Sequence, residues 1–295
     1  MSETQTTNWT TRKLLDWMAE QFATREIDSP RLIGEMLLRH VLGGNRIDLY
    51  ANANRVASES ERQTLRELVQ RAMKHEPVQY IVGNAWFFGA EFRVDNTTLI
   101  PRSCTERLVE QVISHCTNLT SGARIAEIGT GSGCIAVTLA SNMPDATIIA
   151  TDISKDALTL AESNTKIHKV ENQITFLEGD AAAPLLDLER FDVLCSNPPY
   201  IPDEEMLGLS RNVIDWEPKL ALSGGIDGME IVRKIIASAS KLLKPEGLLI
   251  IEIATSTRDK VLELAQAAAF LEDVKIIRDE FGDDRFLKAI RSVDK

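Results

Sequence analysis

Apolar residues over the first eighty positions recur at spacings of three and four, the period of a helix with one buried face. In "WTTRKLLDWMAEQFA" this spacing sets Leu14, Trp17, Met18 and Phe22 on one side. "SPRLIGEMLLRHVLGG" predicts a second helix, with Ser29 as N-cap, Pro30 at the first position and glycines at the end. A third, "SESERQTLRELVQRAMKHEP", opens on a serine cap and an acidic first turn, turns Leu65, Leu68, Val69 and Met73 inward and stops before Pro77. Together these predict a small helical domain over residues 1–85. The pattern then changes. In "WFFGAEFRVDNTTLI" aromatic and β-branched residues surround Gly89 and "DNTT" offers turn chemistry, which predicts a β-hairpin over 86–100 as the connection between domains.

Beyond residue 100, after the helical second half of "IPRSCTERLVEQVISHC", apolar runs alternate with helical segments. Strands are predicted at 124–128, 147–151, 174–178, 191–195, 247–253, 274–278 and 286–291. The first five are continuous apolar runs, as strands buried on both faces require, so residues 101–295 read as a doubly wound α/β sheet.

Composition adds limits to this picture. A chain of 295 residues, 44% hydrophobic and 26% charged, has room for one large and one small domain. No apolar run approaches the roughly 18–20 residues of a membrane span, and "MSETQTTNWTTRKLLDW" has neither an apolar signal core nor an Arg-rich presequence, so the expected compartment is the cytoplasm. Cys104, Cys116, Cys134 and Cys195 form no CxxC pair and have no histidine cluster beside them, which points to packing residues and to no metal site. Residues 1–80 carry 11 basic and 11 acidic side chains, so the net charge of −11 belongs to the remainder, with 22 against 33. An acidic catalytic half argues against a duplex-binding enzyme and suits a protein partner with a basic surface.

Candidate chemistry gathers at the strand ends. "RIAEI" runs into "GTGSGCIAVTLA", where glycines at a strand-to-helix turn let backbone approach a ligand. The glycines are Gly129, Gly131 and Gly133; the dinucleotide fingerprint needs glycine where Cys134 stands. A GxGxG loop preceded by Glu127 instead suggests S-adenosylmethionine. Asp152 ends the second strand, 23 residues beyond Gly129, where a carboxylate can accept hydrogen bonds from a ribose diol. Asp180, with Ala181 beside it, follows the third strand, where it can meet an adenine amino group.

The fourth strand ends in "SNPPY". Two prolines leave stiff, donor-free backbone whose carbonyls are available as acceptors, and Asn197 adds a side-chain carbonyl. Asn197 and the Pro198 carbonyl together suit a planar NH2 group, orienting it toward a methyl donor and stabilising positive charge on nitrogen during attack. Tyr200 can stack on that group. His40, His75, His115 and His168 lie outside these motifs, and no obligatory general base stands out. Adenine, cytosine, guanine and glutamine all present such an NH2 group.

The chain resembles the protein-glutamine methyltransferases of the HemK type. The resemblance rests on the helical N-terminal domain, the junction "EPVQYIVGNAWFFGAEFRVDNTTLIPRSCTE", "EIGTGSGCIA", "NPPYIP", "EPKLALSGGIDG" and the closing "GDDRF", and it covers nearly the whole chain. It implies a Rossmann-like class I S-adenosylmethionine-dependent methyltransferase domain behind a helical substrate-recognition domain. The cofactor would lie on Glu127, Gly129, Thr130, Gly131, Ser132, Gly133, Asp152, Asp180, Ala181 and Asn197, with no metal. The glutamine would lie on Asn197, Pro198, Pro199 and Tyr200, with Asn197, Pro198 and Tyr200 catalytic. The implied substrate is the Gly-Gly-Gln loop of peptide chain release factors, with neither nucleic acid nor membrane as partner.

One departure stands out. Ser103 and Cys104 occupy the place where the family commonly reads IPRP.TE, and a sister group that modifies a large-subunit ribosomal protein has PRS there. "RDEFGDDRFLKAIR" and the helical N-terminus favour the release-factor group. A nucleic-acid amino-methyltransferase is the more remote alternative. Arg102 and Glu106 also match the family and are expected to form a structural ion pair.

Overall fold

A computed structural model describes residues 8–117, 119 and 122–293. The first seven residues, on which part of the targeting expectation rests, lie outside it, as do the last two. The chain divides into two compact units, Met1–Gly83 with Ser210–Trp216, and Asn84–Leu209 with Glu217–Lys295.

The first unit is helical: α1 (Thr11–Ala23), α2 (Pro30–Leu42), α3 (Arg46–Ala51), α4 (Glu59–Ala72) and α5 (Val78–Val82). Leu14, Leu15, Met18, Phe22, Leu37, Leu38, Leu65 and Val69 form its core, with Trp17, Leu68 and Met73 partly buried against it. Ser58 closes a reciprocal capping box with Glu61 at the start of α4. Ser29 does precede α2, but its backbone is left-handed and its side chain makes no capping bond. The expected cap is therefore absent there, and Pro30, which needs no partner for a missing N–H, opens the helix without one. In the segment 210–216, the Trp216 indole N–H donates to the Lys74 carbonyl at 3.3 Å.

The second unit opens with a two-stranded hairpin, β1 (Asn84–Phe87) and β2 (Ala90–Arg93), paired Asn84↔Arg93 to Phe87↔Ala90. The turn is at Phe88 and Gly89, both with positive φ, and "DNTT" falls after the strands. The hairpin thus begins two residues earlier and ends well before residue 100. Phe87 and Phe92 meet edge to face at 6.2 Å and are buried in the main core.

The central sheet comprises β3 (Arg124–Ile128), β4 (Thr147–Asp152), β5 (Ile174–Glu178), β6 (Phe191–Ser196), β7 (Leu243–Glu252), β8 (Leu271–Arg278) and β9 (Asp284–Arg291). Its order is β5-β4-β3-β6-β7-β9-β8. The first five strands are parallel, while β9 runs antiparallel to both β7 and β8. Alternate residues serve opposite faces: Ile125, Val193, Leu248 and Ile250 join one apolar core, Ala126, Leu194, Leu249 and Ile251 the other. The first core takes α6 (Glu106–Cys116) and α7 (Cys134–Asn142); the second takes α10 (Glu230–Leu242) and α11 (Arg258–Ala267). Between them in sequence lie α8 (Lys155–His168) and the short α9 (Arg211–Ile214). No helix among the described residues is long and apolar enough to cross a membrane.

Candidate active site

A cavity of about 560 Å³ opens at the carboxyl ends of β3, β4 and β6, a volume suited to a small-molecule ligand. This is where an open α/β sheet binds, because the strand order reverses between β3 and β6 and the connecting loops part.

Its floor is the turn from β3 into α7. Gly129, Gly131 and Gly133 have φ of +74°, +54° and +78°, the left-handed region that glycine enters without a Cβ clash. A Cβ at Gly133 would also stand 3.0 Å from that of Ala161 on α8. Thr130 and Ser132 line the cavity between them. Glu127 does not. It is wholly buried and reaches the loop from behind, its Oε2 accepting from Thr130 Oγ1 at 2.8 Å and from the Ala136 N–H at 3.1 Å. The expectation that Glu127 touches the cofactor gives way to a supporting role, because a side chain sealed beneath the loop has no path into the cleft. Burial pushes its carboxyl up to about 8, against the pull of those two hydrogen bonds.

Asp152 stands at the end of β4 and lines the cavity. Its Oδ2 accepts from the Gly131 N–H at 2.9 Å and its Oδ1 from the Ser154 N–H at 2.9 Å, which fixes the carboxylate while leaving lone pairs on both oxygens. Burial raises its pKa, and the backbone N–H groups oppose that shift. Asp180 and Ala181 also line the cavity, Ala181 with φ of +49°. Lys234 on α10 reaches Asp180 with N–O distances of 3.1 and 2.8 Å.

At the end of β6, Asn197 and Pro199 line the cavity, whereas Pro198 and Tyr200 do not. Pro198 is buried and the Tyr200 hydroxyl points to Glu252 Oε1 at 3.0 Å. Asn197 Nδ2 donates to Thr105 Oγ1 at 3.1 Å. Its Oδ1 takes no partner among the described residues. The segment after NPPY doubles back: Ile201 donates to the Leu222 carbonyl at 3.0 Å and accepts from the Gly224 N–H at 2.9 Å. Gly228 lies so close that a Cβ there would come within 2.5 Å of the Tyr200 carbonyl. This return brings Pro218, Leu220 and Ala221 to the cavity wall.

Arg102 and Glu106 do not pair. Arg102 Nη2 meets Glu217 Oε1 at 2.6 Å, and Glu217 Oε2 accepts from the Ile100 N–H at 3.2 Å. Glu106 instead accepts from the Phe88 N–H at 2.7 Å, holding the hairpin turn. None of the four histidines lines the cavity. His168 stacks on Phe92 at 4.6 Å, and burial with Lys288 nearby holds His115 below its ordinary pKa. All four cysteines are free thiols, and burial pushes Cys104 up to about 11.

The pattern matching "PrmC N-terminal domain" covers residues 13–83, and that of "Methyltransferase domain" covers 119–281. A relative from Nitratidesulfovibrio vulgaris, named release factor glutamine methyltransferase, is 39% identical over 99% of both chains. The chain belongs to the release factor glutamine methyltransferase family. A second member, from Geobacter sulfurreducens, is 38% identical over 94% of this chain and 95% of its own. Among solved structures, the hMettl16 catalytic domain in complex with MAT2A 3′UTR hairpin 6 aligns over 82% of this chain and 86% of that one. The TM-score is 0.56 at 16% identity, a likeness of fold.

Four residues that brace the site escaped the sequence reading: Thr105, Asn164, Glu217 and Glu252, of which only Thr105 lines the cavity. Asn164, fully buried on α8, donates to the Ser132 and Arg93 carbonyls at 2.8 and 3.0 Å and accepts from the Arg93 N–H at 2.8 Å, tying loop to hairpin. Glu252 alone left a readable sign, an acidic residue inside the apolar run "LLIIEI".

Proposed function

We propose that this protein methylates the side-chain amide nitrogen of the glutamine in the Gly-Gly-Gln loop of peptide chain release factors, with S-adenosylmethionine as methyl donor, in the cytoplasm. The observation that carries the reading is Asn197: a cavity-lining amide anchored through its NH2 and left with a free carbonyl oxygen. That oxygen matches a substrate NH2 group, which has only donors to offer. Family membership over 99% of the chain supports the release factor over the ribosomal protein and over nucleic acid as substrate.

The cavity fits the donor. The three left-handed glycines make a cradle that a Cβ would fill, and Asp152 holds a carboxylate at its edge. In this reading the Gly129–Gly133 loop cradles the amino-acid portion, Asp152 accepts from the ribose diol, and Asp180 with Ala181 faces the adenine. When bound, S-adenosylmethionine would supply an electrophilic sulfonium methyl for the amide nitrogen and leave as the thioether, with the displaced amide proton passing to water. In this reading Asn197 Oδ1, the acceptor that faces the cavity, takes one amide hydrogen, which orients the nitrogen and favours charge developing on it, whereas Pro198 lies outside the cavity lining. Tyr200, expected to stack on the amide, lies outside the cavity lining with its hydroxyl tied to Glu252. The helical unit is proposed to grip the body of the release factor.

The test is incubation with methyl-labelled S-adenosylmethionine and, separately, a release factor, the ribosomal protein and RNA. Label is expected on the release-factor glutamine. Label on RNA alone would overturn the reading.

A further inference from the structure

Glu252 ends β7 next to β6, where the register pairs Ser196 with Ile251. It is fully buried and lies outside the cavity lining, so it cannot meet cofactor or substrate. It nevertheless holds Thr105, which lines the cavity, and through Thr105 reaches Asn197, which does too. Thr105 Oγ1 donates to its Oε2 at 2.7 Å, Tyr200 Oη to its Oε1 at 3.0 Å, and the Cys104 thiol approaches Oε1 at 3.9 Å. Burial raises its pKa, while the hydrogen bonds from Thr105 and Tyr200 and the charges of Arg285 and Arg102 pull toward the ionised form. Burying a carboxylate at this depth is costly unless its hydrogen bonds do something a neutral side chain could not.

Proton counting shows what that is. An ionised carboxylate only accepts. The Thr105 hydroxyl has a single hydrogen and gives it to Glu252, so toward Asn197 its oxygen can only accept. Asn197 must therefore turn its NH2 to Thr105, the observed 3.1 Å contact, and keep Oδ1 for the cavity. We infer that Glu252 is a positioning residue, whose acceptor-only character, relayed by Thr105, dictates that Asn197 meets the substrate amide as an acceptor. This rests on the glutamine-methylating reading above. An amide turned the other way would present donors to donors. The same carboxylate fixes the Tyr200 hydroxyl, so one buried group sets two of the four NPPY side chains.

The deciding variant is Glu252→Gln, which keeps shape and volume but can donate to Thr105 and so release the Thr105 hydrogen toward Asn197 Oδ1. With a release factor as substrate, kcat is expected to fall at least 30-fold. Dissociation constants for S-adenosylmethionine, measured by calorimetry, should stay within twofold of wild type, and a Gly-Gly-Gln peptide should bind more weakly to the variant. Thr105→Val and Thr105→Ser supply a second route should Glu252→Gln fail to fold: the valine is expected to reproduce the loss of kcat, and the serine, which keeps the hydroxyl, to restore it. Wild-type kcat in Glu252→Gln, or equal loss in Thr105→Ser and Thr105→Val, overturns the inference. A wild-type chain that labels no release factor overturns the function instead, so the two failures are distinct.

Discussion

At the scale of single residues, the proposed function separates side chains that line the cavity, such as Asn197 and Asp152, from those that brace them from behind, such as Glu127 and Glu252. Asn197→Ala removes the free acceptor, and a loss of about 2–4 kcal/mol in transition-state stabilisation is expected, read as a fall in kcat with cofactor affinity retained. Asp152→Ala should do the reverse, weakening S-adenosylmethionine binding on the order of tenfold or more in a titration. Glu127 gives a pH signature. A carboxyl whose folded-state pKa is about 8, against an ordinary 4.5, binds more protons folded than unfolded, so stability falls as pH rises through that window. Denaturant unfolding of the wild type should lose on the order of 2–4 kcal/mol between pH 5 and 8.5. Glu127→Gln should flatten that slope, and an unchanged slope would remove Glu127 as its source.

Elements explain why these residues converge. Parallel strands deliver their last residues to one edge of the sheet, so Gly129, Asp152, Asn197 and Glu252 become neighbours although they are far apart in sequence. The turn after β3 is the tightest of these joints. Gly133→Ala places a side chain at φ of +78° and 3.0 Å from Ala161, and should cost about 1–3 kcal/mol of stability in a thermal or denaturant melt, with weaker cofactor binding alongside. The inner strands β3, β4, β6 and β7 were legible from apolar runs because burial on both faces demands them; β3 and β5 match the predicted spans residue for residue, although β5, at the sheet edge, buries only Ile174. The hairpin was displaced because Phe88 and Gly89 make the turn, and a phenylalanine with positive φ is not a residue that propensity assigns to a turn. The return of residues 201–226 had no periodic signal at all, since it is held by backbone hydrogen bonds of Ile201 with Leu222 and Gly224, beside the close approach of Gly228 to the Tyr200 carbonyl.

For the whole molecule, charge is the property that matters. With −11 concentrated beyond residue 80, attraction to a basic protein substrate should be screened by salt. Raising ionic strength from 50 to 500 mM, which shortens the screening length to a few ångströms, is expected to raise KM for an intact release factor several-fold while hardly moving KM for a Gly-Gly-Gln peptide. Equal salt responses for both substrates would place recognition in the loop alone.

Read as a string, the chain already determined its two-part organisation, its parallel sheet, its glycine turn and the donor-free backbone of NPPY. Each of these is local: periodicity, a left-handed turn and a proline's missing N–H are written in neighbouring residues. Only the tertiary structure decided which groups stand behind the site. Arg102 paired with Glu217 rather than Glu106, Lys234 came to Asp180, and Glu252 came to Thr105 and Tyr200. Such contacts join residues from 52 to 147 positions apart, and no spacing rule reaches across a fold that brings strand ends together.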